Sequence, residues 1–499
     1  MNVFRKKSVE QTLAETGESG HALKRDLTWW DLAIMGVAVA VGAGIFSIGA
    51  QAAAFHAGPA VVLSFLIAGV VCGAAVMCYA EFASMIPVAG SAYTFTYTTV
   101  GEIVAWVIGW DLILEMLMAG SVVSKYWGVY LNQFFELIGW NINTNIAIGS
   151  FNFDLAPVII VAFFTALLVM GTKLGARVDG ALTSLKIAIV VFIVVVGFFY
   201  IKAENFTPFI PPSEPAASTD GSGVSAVMEQ PLWQWATGMA PSIYGVTGII
   251  SGAALVFFAF LGFDVVATAS EETINPKKNV PLGIGVGLGL IIVLYTLVAI
   301  VTTGMVSYKD LAKQSDPSLA VAFKMVGADW AAKIISLGIV IGMATVVMVL
   351  LLGLTRVVFA MSRDGLLPRG LSHTGKHGTP VRLQIIVGVV MALIAVCCNV
   401  GILSDMVNIG TLSAFTLVAI SIPIMRKKRP DLERSFKIPG NPWVPILIAL
   451  ANLWLMVNLS VLTWIRFVVW LIVGFAIYFG YGYRHARLGA GELEVAAQE

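Results

Sequence analysis

About twelve apolar runs, each near the 20 residues a helix needs to cross roughly 30 Å of hydrocarbon, consume most of this chain. They lie at about 30–53, 59–84, 99–124, 155–173, 180–201, 247–270, 281–304, 330–360, 382–399, 403–425, 443–463 and 465–483. Backbone groups in hydrocarbon must be bonded within the segment, so these runs are expected to be helices. The fold class expected is an all-α integral membrane protein. Composition agrees, with 58% apolar and 12% charged residues over 499 positions, too little polarity to coat a water-facing surface. A formal charge of +1 offers no reason for a nucleic-acid partner, so charge matters here by position.

Position is informative. With the N-terminus inside, the inner segments hold about 21 Lys and Arg and the outer ones about seven, including Lys6, Lys7, Lys277, Lys278 and the run Arg426 to Arg429 on the inner side. Both termini are therefore expected in the cytoplasm. The leader is too long and charged for a secretory signal. It ends in Thr28 and Asp31, spaced as a capping box for a helix entering the membrane. Trp29, Trp30, Trp127, Trp330 and Trp464 fall near run ends, where indole rings anchor at the interface. The outer segment after the fifth run, with Asn205-Phe206-Thr207, Pro211, Pro212 and Pro215, reads as a loop with little regular structure, its sequon incidental.

Cys72, Cys78, Cys397 and Cys398 lie inside apolar runs and read as small packing residues. His21, His56, His373, His377 and His485 fall in loops or tails. His373 and His377 have Gly375, Gly378 and Pro380 about them, which argues against a metal-binding helix. No nucleophile elbow or phosphate-cradling loop is present, and no cofactor is expected. Neither a filter repeat nor a continuous polar stripe suggests a channel, and Asp111 and Glu115 lack the nucleophile or metal an enzyme would need.

Two runs look built to break. Gly42-Ala43-Gly44 lies within the first, and Phe258 to Asp264, containing Gly262, within the sixth; these runs open two successive groups of five. Corresponding interruptions in two halves point to an inverted-repeat carrier with substrate at the midplane. The alternative is that the glycines only permit close packing. Free N–H groups after a break suit a carboxylate and freed carbonyls before one suit an ammonium, so the site suits an amino acid. Gly42, Ala43 and Gly44 would hold the carboxylate, and carbonyls near Ala40, Phe258 and Leu261 the amino group.

Glu115 lies deep in the third run, one turn after Asp111 and one turn before Ala119 on a shared face. As an intramembrane carboxylate it is a candidate for the substrate ammonium or a proton; a structural hydrogen bond is the other reading, and the one favoured for Asp111. Lys186, about six residues inside the fifth run, either snorkels toward Arg177 or is a buried, switchable positive charge that loads and releases a proton.

These stretches resemble the amino acid-polyamine-organocation superfamily, and within it a bacterial member of the cationic amino acid transporter group. The likeness runs from near Leu27 to near Pro442 and is carried by GAGIF at 42–46, YAEFASMIPVAGSAYTFTY at 79–97, GEIVAWVIGWDLILE at 101–115, LTSLKIAIV at 182–190, FFAFLGFDVVATASEE at 257–272, NP at 275–276, RVVFAMSRDGLLP at 356–368 and IGTLSAF at 409–415. The resemblance implies two five-helix inverted repeats plus two C-terminal helices. It places the carboxylate-binding break at Gly42 to Gly44, the aromatic gate at Phe258 and the pocket carboxylate at Glu115. Lys186 would stand where relatives of another kind bind sodium, which favours proton coupling. Met348, if it lines the side-chain pocket, argues for small or neutral side chains over arginine.

The organisation expected is a cytoplasmic segment at 1–28, a first repeat at 29–201, an extracellular loop at 202–246, a second repeat at 247–425, a basic cytoplasmic loop at 426–442, two further spans at 443–483 and a cytoplasmic tail at 484–499. The function expected is secondary active amino acid transport across a bacterial cell membrane by alternating access, proton-coupled and sodium-independent. An exchanger without proton coupling and a non-transporting amino acid sensor are the alternatives. Partners expected are the amino acid, the proton and the lipid bilayer; nothing in the sequence indicates a protein partner.

Overall fold

The structure is a computed structural model that describes residues 5–6, 27–85, 92–140, 142, 144–148, 151–170, 172–216, 224–262, 266, 273–314, 316–373, 380–430, 434 and 436–487. Among these residues, six helices are long and apolar enough to cross a membrane and six more are apolar but shorter. We label the twelve α1 (Trp29–Ala40), α2 (Val61–Met85), α3 (Glu102–Leu137), α4 (Leu155–Met170), α5 (Thr172–Phe198), α6 (Gly245–Val256), α7 (Pro276–Met305), α8 (Asp329–Arg363), α9 (Val381–Cys397), α10 (Val400–Lys428), α11 (Trp443–Val457) and α12 (Val461–Ile477). The molecule is an all-α membrane protein.

The expected cap opens α1. The Asp31 N–H donates to the Thr28 hydroxyl, and the Thr28 N–H donates to the Asp31 carboxylate at 2.8 Å.

The packing repeats itself with a period of five helices. α1 packs on α7 as α6 packs on α2; α3 packs on α10 as α8 packs on α5; α3 packs on α9 as α8 packs on α4. α2 with α7, α3 with α8 and α4 with α9 are the pairs such an exchange leaves unchanged. This is the pairing that two five-helix repeats produce. α11 and α12 stand outside it and lean on α10.

Two buried carboxylates tie the molecule together where the basic segments lie. Glu81 of α2, 0% exposed, accepts from Arg426 of α10 at 2.8 and 2.6 Å and from the Ile438 N–H at 2.9 Å. Glu102, at the start of α3 and also 0% exposed, accepts from Arg5 at 2.7 Å and from the hydroxyls of Tyr478 and Tyr97 at 2.8 and 3.1 Å. Fully bonded charges of this kind tolerate burial; removing one partner leaves the other stranded.

Several boundaries differ from the sequence reading. α3 runs to Leu137 rather than to about 124, because the polar residues Lys125, Asn132, Gln133 and Glu136 continue the helix beyond the apolar run. Hydropathy marks the thickness of hydrocarbon, and a helix need not stop there. α5 begins at Thr172, which puts Lys186 in mid-helix. The segment 202–246 is not structureless: it contains short helices at Val224–Glu229 and Leu232–Thr237, and Trp233 donates to Asn458 at 2.8 Å. The sequon residue Asn205 donates its amide to the Gly304 carbonyl at 2.7 Å. A two-stranded hairpin at Asn145–Ile148 and Phe151–Asp154 was not anticipated. Cys72 and Cys78 are buried, but Cys397 is exposed at the end of α9. The expected features at Asp264, His21 and His377 lie outside the described residues.

Candidate functional site at two crossing helix breaks

The first span breaks where its glycines are. α1 ends at Ala40, Val41 is extended (φ −72°, ψ 92°), and the chain resumes as a π-helical turn at Gly44–Ile48 that continues to Ala57. The sixth span breaks in the same manner: α6 tightens to a 3₁₀ turn at Phe257–Phe260, Leu261 is extended (ψ 154°) and Gly262 has φ +99°. Only glycine adopts that last conformation without strain.

The breaks lie against each other. A Cβ on Gly44 would stand 2.4 Å from the Cα of Ala259, and one on Gly262 would stand 2.1 Å from Val39 Cγ1. No backbone carrying side chains at these positions could approach so closely. The glycines thus do both things proposed for them: they permit the break and they permit the crossing.

At the crossing is a cavity of about 30 Å³, lined by Val39, Ala40, Gly42, Ala43, Gly44, Glu115, Met116, Ala119, Val123, Phe258, Leu261, Gly262, Val346 and Leu350. Eight of these are candidates from the sequence: Ala40, Gly42, Ala43, Gly44, Glu115, Ala119, Phe258 and Leu261. Its volume suits about two waters. It is a closed arrangement, and a bound amino acid would require the walls to part. Glu115 is 4% exposed on an otherwise apolar wall.

Two candidates lie elsewhere. Met348 is buried but does not line the cavity; Val346 and Leu350, one turn apart on α8, do. Residue 348 points about 200° around the helix from 346, which periodicity of 3.6 dictates once one face is assigned. Lys186 is 2% exposed and donates from Nζ to the Ala38 carbonyl at 2.8 Å, with its Cγ 3.0 Å from the position a Cβ on Gly342 would take. It therefore does not reach the interface as a snorkelling lysine would, and it holds α1 two residues before the break. Asp111 also stays out of the cavity, accepting from Ser413 of α10 at 2.8 Å.

The sequence reading missed Val39, Met116, Val123, Gly262, Val346 and Leu350 as lining residues. Val123 was within reach, since it follows Ala119 by one turn on the same face. It also missed Tyr295 of α7, whose hydroxyl donates to the Ala40 carbonyl at 2.6 Å. That carbonyl was expected to serve an ammonium; its second lone pair remains for one. A partner from six spans away leaves no local signal.

Among the described residues no group of three or more His, Cys, Asp or Glu could hold a metal ion. A cavity at two crossed helix breaks, walled among the described residues by apolar side chains with one carboxylate, has the geometry that a membrane carrier's substrate site needs. A family model described as amino acid permease matches residues 27–479, and the chain belongs to that family. It is a membrane transporter of amino acids and not an enzyme. The chain is 41% identical to the branched-chain amino acid permease BcaP of Bacillus subtilis over 98% of its length and 99% of the relative's. It is 40% identical to the methylthioribose transporter of the same organism, again over 98% and 99%. It is 36% identical to the vacuolar cationic amino acid transporter 2 of Arabidopsis thaliana, over 86% of this chain and 64% of that protein.

Proposed function

We propose that this chain carries neutral amino acids with apolar side chains across the cell membrane by alternating access, driven by protons and independent of sodium. The observation that carries the reading is the cavity at the two breaks. Its Gly42 to Gly44 edge offers helix-end N–H groups to a carboxylate, while Glu115 and the carbonyls of Ala40 and Phe258 face an ammonium. Met116, Ala119, Val123, Val346 and Leu350 supply the wall for the side chain. A guanidinium placed against them would lose its hydration without a partner beyond Glu115. The similarity to a branched-chain permease supports the same side-chain class.

Alternating access follows from two inverted repeats, 29–201 and 247–425, rocking about the fixed site. Lys186 supplies the switchable charge: protonated, it holds the Ala38 carbonyl and the inner half of the first span, and loss of the proton frees that segment to move. Both termini are cytoplasmic on the distribution of Lys and Arg.

Uptake of labelled leucine, alanine, arginine and methylthioribose into proteoliposomes, in sodium-free buffer with and without an inward proton gradient, tests the reading. Gradient-driven accumulation of leucine supports it. Exchange without accumulation reassigns the protein to an uncoupled exchanger. Preferred uptake of methylthioribose overturns the substrate class, and binding without flux leaves a sensor.

A further inference from the structure

Among the described residues, Asp111 is the one acid beside the site that the transport reading does not use. It sits on α3 one turn, about 6 Å along the axis, from Glu115. It is 0% exposed, its Oδ2 accepts from the Ser413 hydroxyl at 2.8 Å, and its Oδ1 has no hydrogen-bond partner among the described residues.

α8, α10, α9, α4, α12 and the helix Ala92–Thr99 pack against α3. The charged and titratable groups they bring are engaged elsewhere or turned away. Glu115 faces the cavity, Tyr93 donates to Asp364 at 2.8 Å, and Asp405 accepts from Thr463 at 3.0 Å. Arg356 of α8 and Arg382 of α9 are exposed, and Arg466 of α12 interacts electrostatically with Asp405. An ionised carboxylate here would be a buried anion with a single neutral hydrogen bond. A neutral acid is content with the same surroundings, because it can trade donor and acceptor roles with the Ser413 hydroxyl.

We propose that Asp111 is a second proton-binding site of the transport cycle, holding its proton in this closed arrangement and releasing it to water when α3 and α10 part. The inference rests on the proton-coupled reading above. The link to the site is physical. Ser413 lies two residues before Phe415, whose ring meets that of Phe257 edge-on at 6.0 Å, and Phe257 begins the 3₁₀ turn that carries Phe258 to the break. Asn408, also on α10, donates to the Leu255 carbonyl at 3.1 Å. A movement that opens the sixth span therefore moves Ser413 against Asp111 and admits water to the acid; the O–H bond breaks and water takes the proton.

The test uses the full chain in proteoliposomes with Asp111→Asn, which keeps the shape and the hydrogen bond but cannot titrate. Labelled leucine, or the amino acid the panel favours, is followed in counterflow across pH and in gradient-driven uptake; the carboxylic-acid C=O stretch is followed by infrared difference spectroscopy. The expected result is counterflow within about twofold of wild type at low pH, a flattened pH profile, lost gradient-driven accumulation and loss of one acid band. A variant with the wild-type pH profile and an unchanged acid band overturns the proposal. Should the wild type show no gradient-driven uptake, the coupled reading falls by itself, and the band still decides whether Asp111 carries a proton. If Asp111→Asn does not fold, Ser413→Ala keeps the acid and removes its partner. A moved pH profile supports the proposal and an unmoved one overturns it.

Discussion

Three residues carry most of the proposed function, and each is expected to fail differently when changed. Among the described residues Glu115 is the only carboxylate on the cavity wall, and its amide variant would keep the shape while losing the charge proposed to meet an ammonium. Glu115→Gln is expected to weaken amino acid binding tenfold or more, about 1.4 kcal/mol, measured by calorimetry on the detergent-solubilised protein. Wild-type affinity would return Glu115 to a structural role. Lys186→Met retains the packing against Gly342 but removes the bond to the Ala38 carbonyl. It is expected to abolish gradient-driven uptake while leaving substrate binding within severalfold, and unaltered accumulation would remove the lysine from the coupling mechanism. Gly44→Ala forces a methyl to within 2.4 Å of the Ala259 Cα, so the two breaks must separate. Transport should fall at least a hundredfold although the protein still reaches the membrane; ordinary flux would mean that the crossing is loose in the working protein.

At the scale of elements, cohesion near the basic segments combines apolar packing with a few buried charges. Glu81 joins α2, α10 and the chain at Ile438, and Arg426→Met would leave that carboxylate without its bidentate partner. Breaking a buried pair from one side costs roughly 3 kcal/mol, so a clear drop in melting temperature is expected, read by the fluorescence of a thiol-reactive dye. The double variant Glu81→Gln with Arg426→Met should recover part of the loss, since no stranded charge remains. Equal stability of all three would show that the pair contributes nothing. The loop 202–246 behaves as an element too: its Trp233 contact to Asn458 fastens it over the turn between α11 and α12.

For the whole molecule, packing partners recur at intervals of five helices, which supports the proposed rocking of one repeat against the other, because each contact has a counterpart. A cavity of about 30 Å³ is too small for leucine, so the arrangement described is a closed stage of any cycle. The distribution of Lys and Arg is the basis for proposing both ends on the inner side. Epitope tags at residues 1 and 499 should bind antibody only after the cell membrane is permeabilised, and labelling of either tag on intact cells would reverse or split the topology.

Much of this was legible in the chain before folding. Twelve apolar runs impose helices because hydrocarbon offers no partner to the backbone, and Thr28, Asp31 and the paired glycines mark where helices start and break through local geometry alone. Eight cavity residues could be named because breaks and an intramembrane acid are local signals. What only the tertiary structure decided is everything set by rotation and long-range contact. That Val346 and Leu350 rather than Met348 face the cavity depends on how α8 is turned against α3. Tyr295 on the Ala40 carbonyl, Arg426 on Glu81 and Ser413 on Asp111 join residues 255, 345 and 302 positions apart. In a nearly uniform apolar helix every face looks alike to the sequence, and the face that turns inward is chosen by its neighbours.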